Sequence, residues 1–84
     1  MYLDHEISEY FTFNAKEKDY IQRFLFLQYL EEWEVSRFKG VHEYTLHDTI
    51  LTDKLLHLNH ESYETCQLYE DVLQRFKYEL KEYE

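Results

Sequence analysis

The chain of 84 residues contains no proline and a single glycine, Gly40. Proline breaks helix interiors, and glycine supplies the positive φ of tight turns. A chain with almost neither is denied turn-rich all-β architectures and glycine-rich phosphate loops. What remains open to it is a set of long, uninterrupted helices. The clearest runs from Asn14 to Gly40. Asn14 is a good N-cap, Glu17 completes a capping-box spacing, and Gly40 falls where a helix wants a left-handed C′ residue. The spacing predicts a helix over residues 15–39, about 37 Å long. Ile21, Phe24, Leu25, Leu27, Leu30 and Phe38 are expected to face inward, with Phe26, Tyr29 and Trp33 toward another side. The run from Phe24 to Leu30 is apolar nearly all round, so this helix is either central or in contact on two faces.

The last segment carries the most regular pattern. Cys66, Tyr69, Leu73, Phe76, Leu80 and Tyr83 are spaced as an unbroken heptad seam, which predicts a helix over residues 62–83. Leu46, Ile50, Leu51, Leu55 and Leu58 predict a helix between these two, opened by Thr45 and Asp48. The leucine stripe is out of phase with the seam, which places a corner at residues 59–62. Leu3, Ile7, Tyr10 and Phe11 suggest a short helix, followed by an extended link toward Phe13. Residues 41–46 read as a connector. The expectation is one all-α domain over residues 1–84, a three- or four-helix bundle with the 15–39 helix at its centre.

Eighteen acidic residues stand against nine Lys and Arg, a formal charge of −9. Such a chain is unsuited to gripping phosphate backbones directly. The acid is uneven: residues 21–40 are neutral and residues 61–84 carry −4. Aromatics make up 19% of the chain, with nine tyrosines. A domain this small buries only about 60–65% of its unfolded surface, so some of those rings must lie outside the core. The lone Cys66 cannot form an internal disulfide, Asp4 and Glu6 sit where a signal peptide would be basic, and no apolar run approaches the roughly 20 residues of a membrane span. A cytoplasmic location and no membrane partner are expected.

Catalytic candidates are few. His57 and His60, with Glu61 and Glu64, would share a face of a continuous helix and offer metal ligands, but no HExxH spacing is present. Arg37-Phe38-Lys39-Gly40-Val41-His42 resembles the R-x4-H element of the HEPN ribonuclease family. That resemblance implies a helical RNase working through Arg37 and His42, although Phe38 replaces a residue usually polar in the family. His42, His47-Asp48 and Asp53 resemble elements of the HD phosphohydrolases, whose fold is larger than this whole chain. Cys66 reads as a small buried hydrophobe of the seam.

Acid, tyrosine and helix together suit protein binding, because Tyr and Trp make hot spots and carboxylates steer toward a basic partner. The expectation is a non-enzymatic module without a cofactor. It would inhibit or regulate a basic protein, and in the narrower form of this expectation that protein itself binds nucleic acid. Carboxylates one turn apart approach phosphate spacing, so mimicry of nucleic acid is a specific form of this reading; in composition the chain resembles small inhibitors from phage and mobile elements. The residues expected to contact the partner are Tyr63, Glu64, Asp71, Tyr78 and Glu82 on the outer side of the last helix, with Asp71 and Tyr78 at f positions. The seam from Cys66 to Tyr83 is expected to pack within the chain or to pair two copies as a homodimer. The competing class is a small helical enzyme, metal-dependent through His57 and His60 or RNase-like through Arg37 and His42.

Overall fold

The computed structural model describes residues 9–38 and 45–83. Their helices are α1 (Ala15–Phe38), α2 (Leu46–Asn59), α3 (Tyr63–Arg75) and the one-turn α4 (Lys77–Leu80). Short 3-10 turns at Tyr10–Thr12 and Lys81–Tyr83 flank them. Among the described residues there is no strand. The chain is an all-α bundle, as the missing prolines require.

Local chemistry sets the ends. The backbone N–H of Glu17 donates to Asn14 Oδ1 at 2.8 Å, and that of Asn14 donates to Glu17 Oε1 at 3.0 Å. This is the reciprocal capping box expected at the start of α1. Thr45 caps α2 by accepting from the Asp48 N–H at 3.0 Å. The corner after α2 is a Schellman motif: Ser62 N–H reaches His57 O at 2.9 Å and Glu61 N–H reaches Leu58 O at 3.0 Å. Its C′ residue is Glu61, at φ 60°, where glycine is usual. Gly40 and the 41–44 part of the connector lie outside the described residues, as does the helix expected from Leu3 and Ile7. The link before α1 is a 3-10 turn, and of Tyr10 to Phe13 only Phe13 is extended, at φ −67° and ψ 143°.

α3 touches α1, α2, α4 and the Tyr10–Thr12 turn, so the longest helix is not the hub; α3 is. Leu68, Tyr69 and Val72 on α3 are fully buried against Leu25 and Tyr29 of α1 and Leu46 and Ile50 of α2. The heptad seam is therefore filled by the chain's own helices. Cys66, Tyr69, Leu73 and Leu80 are buried, and Phe76 and Tyr83 pack on the core. A homodimer expected through this seam would find it already occupied.

The seam does not lie on one straight helix. Phe76, at φ −104° and ψ 21°, separates α3 from α4, and a 3-10 turn follows. A seven-residue stripe drifts by about 20° per repeat around a straight helix. The bends re-aim it. Phe76 stacks on Phe26 with centroids 4.2 Å apart, and Tyr83 meets Trp33 edge-on at 5.4 Å.

Two expected faces turn out otherwise. In α1 the buried side chains are Leu25, Phe26, Tyr29 and Trp33, while Phe24 and Leu27 are exposed. In α2 the buried face is Leu46, Ile50 and His57, while Leu55 and Leu58 are exposed. The reason in each case is a polar group the core recruits. Tyr29 hydroxyl donates to Asp53 Oδ2 and lies 2.9 Å from the Tyr69 hydroxyl, tying α1, α2 and α3 together. His57 turns its ring to Tyr69, centroids 5.2 Å apart.

Candidate partner-binding surfaces

The catalytic candidates do not assemble. His57 is buried in the last turn of α2, whereas His60 is the exposed C-cap beyond it. Among the described residues no group of three or more His, Cys, Asp or Glu side chains is placed to hold a metal. His42 and the side chain of Arg37 lie outside the described residues. The Cys66 thiol is buried and donates to Lys54 O at 3.4 Å. Burial pushes its pKa up, which holds it as a thiol rather than a nucleophilic thiolate.

Many of the carboxylates have internal tasks. Asp71, expected to point outward, accepts from the buried Tyr10 hydroxyl at 2.5 Å and from Gln67 Nε2 at 2.9 Å. Glu64 accepts from the Phe11 N–H at 3.0 Å. These two residues clamp the Tyr10–Thr12 turn onto α3. Gln22 of α1 adds a third tie, donating to the Tyr10 hydroxyl at 2.7 Å. Burial first, then the bond to Asp71, pushes the Tyr10 pKa up to about 12. Asp19 holds both Arg23 (3.0 Å) and Arg75 (2.5 Å). Glu70 pairs with Lys54 at 2.8 Å, and this bond lowers its pKa against the opposing effect of partial burial.

The other predicted contact residues remain on the surface. Tyr63 and Tyr78 are exposed, and so is Glu82. They do not form one acidic strip. Tyr78 lies between two cations, with Lys77 Nζ 5.2 Å and Lys81 Nζ 5.5 Å from its ring centroid. That setting suits a basic partner poorly. Tyr63 stands elsewhere, just past the α2 corner, where Leu55, Leu56 and Leu58 are each between 45% and 48% exposed.

A second apolar set lies on α1. Tyr20 is 66%, Phe24 39%, Leu27 58% and Val35 48% exposed. Four residues make one turn plus 40°, so these positions, with Glu31 between, follow the helix face opposite Leu25, Tyr29 and Trp33. Neither exposed set stood among the expected contact residues. The signal for the α1 set was the run from Phe24 to Leu30, apolar on more sides than one core can use.

Comparison with family models, with curated proteins and with solved structures returns no match. Among the described residues no helix is long and apolar enough to cross a membrane.

Proposed function

We propose that this chain is a non-enzymatic binding module that inhibits or otherwise regulates a basic protein partner. The observation that carries this reading is the exposure of three leucines, Leu55, Leu56 and Leu58, in the C-terminal part of α2, followed across the corner by the exposed Tyr63. Large apolar side chains clustered at one end of a small domain mark an interaction site more often than a solvated surface. An aromatic ring beside aliphatic anchors is the composition of an interface hot spot. Charge gives the sign of the partner, because −9 over 84 residues attracts basic surfaces and raises encounter rates at low salt. The cytoplasm and a partner that itself binds nucleic acid belong to the same proposal.

The test is affinity capture from a lysate of the source cells, at low and high salt. The wild-type chain is expected to retain a basic protein. The double variant Leu55→Asp/Leu58→Asp is expected to release it while keeping its helical circular dichroism. Tyr63→Ala should weaken it by about 2 kcal/mol, roughly 30-fold. Recovery of no protein at low salt, or equal recovery by the double variant, would defeat the proposal.

A further inference from the structure

The outer face of α1 is independent of the α2 leucines, and it has a different character. Its apolar positions, Tyr20, Phe24, Leu27 and Val35, extend over about 22 Å of helix. Tyr20 and Phe24 stack on each other with ring planes 16° apart, which holds a flat aromatic surface toward solvent. Charge along the same face is polar from end to end. Arg23 stands in its N-terminal half, paired with Asp19, and Lys16 and Glu17 balance each other at the helix start. Glu31 and Glu34 are exposed in its C-terminal half.

A face that is apolar along its middle, with Arg23 on one side of Leu27 and the exposed Glu31 and Glu34 on the other, is complementary to itself when reversed. We propose that a second copy of this chain docks here, α1 against α1 and antiparallel, about a two-fold axis near Leu27. This register sets Leu27 against Leu27 and Tyr20 against Val35 of the second copy. It also brings Arg23, now paired only along its own helix with Asp19, opposite Glu31 and Glu34 of the second copy. Symmetry repeats each contact twice, as an isologous interface requires. A parallel pairing would align like charges at both ends.

Size sets the strength. A face about 22 Å long and one helix wide, about 10 Å, falls short of the roughly 800 Å² per partner of a standard stable interface. The dimer is accordingly weak and transient, populated only at high protein concentration. An open depression of about 460 Å³ beside Tyr20, lined also by Phe13 and Ile21, leaves room for the C-terminal end of the second helix.

Sedimentation equilibrium from about 1 µM to about 1 mM reads this directly. The wild-type chain should shift from monomer to dimer. Leu27→Arg places two like charges at the axis and should keep the chain monomeric. Its site is 58% exposed, so its circular dichroism should be unchanged. Arg23→Glu should weaken the dimer about tenfold, and Arg23→Glu/Glu31→Arg should restore it. A monomer throughout the range, or a dimer indifferent to Leu27→Arg, overturns the proposal. Leu55→Asp/Leu58→Asp should dimerise like wild type, which separates this face from the partner site of the α2 leucines.

Discussion

Tyr29→Phe removes one oxygen from the most connected point of the core. The Tyr29 ring is 1% exposed, and its hydroxyl holds Asp53 of α2 and Tyr69 of α3 at once. Burial, then the bond to Asp53, raises its pKa, so the group is a protonated donor at neutral pH. The substitution keeps the ring and its packing. It deprives Asp53 of a hydrogen bond and ends the contact with the Tyr69 hydroxyl. A bond to a charged acceptor contributes about 1.5–3 kcal/mol. Asp53 is only partly buried, so water replaces some of that, and the expected loss is about 2 kcal/mol. For a chain of this length the unfolding entropy is about 0.18 kcal/mol/K, which makes the loss about 11 °C in Tm. Trp33 is the only tryptophan and lies in the core, so its fluorescence follows urea unfolding. The midpoint should fall with an unchanged slope. Tyr69→Phe, which removes the other hydroxyl of the pair, should also lower the midpoint. A double-mutant cycle of Tyr29→Phe with Asp53→Asn should show about 1.5 kcal/mol of coupling. If Tyr29→Phe costs less than about 0.5 kcal/mol, or the cycle with Asp53→Asn shows no coupling, the pair is not what fastens α1 to α2.

Two further outcomes follow from particular residues. Glu61→Gly should stabilise the fold by about 0.5–1 kcal/mol in urea unfolding, because it relieves a left-handed backbone that glycine adopts freely and breaks no described side-chain bond. The Tyr10 hydroxyl has its pKa raised from 10.0 to about 12, so the folded state keeps a proton that the unfolded chain releases first. Its contribution is complete below about pH 10 and is lost between about pH 10 and pH 12; Tyr10→Phe should therefore flatten the fall of the urea midpoint across that window.

What the sequence made legible was local. The Asn14 and Thr45 caps depend on residues three apart, and the corner at 59–62 depends on a phase change between neighbouring stripes. The heptad seam was legible too, since every member from Cys66 to Tyr83 faces the core. The orientation of α1 was not. Residues 24–30 offer apolar side chains in almost every direction, and hydrophobicity alone cannot choose among them. Tyr29 and Trp33 decide it, through partners 24 residues or more away in the chain. In α2 leucines occupy several sides, and the core accepts His57 against Tyr69 while leaving Leu55 and Leu58 outside. Asp71 was placed outward by its heptad position, which takes no account of Tyr10 arriving from 61 residues upstream.

The surplus acid and the surplus tyrosine, which looked like two separate surface resources, are partly one internal device. Tyr10 with Asp71 and Tyr29 with Asp53 each join elements distant in sequence through a hydroxyl and a carboxylate. A short chain gains by this arrangement, because tyrosine brings a large apolar ring while its hydroxyl meets a carboxylate at the edge of a thin core. A hydrogen bond accepted by a carboxylate does not cancel its charge, so such pairs do not diminish the long-range attraction to a basic surface. They do remove those carboxylates from direct contact with it. In the function proposed above, steering and docking are thereby divided: the whole charge of the chain would draw a partner in, and the exposed side chains of α2 and Tyr63, few of them acidic, would hold it. Binding of that kind should lose its speed in high salt before it loses its residence time, because salt screens the long-range field and leaves the apolar contact in place.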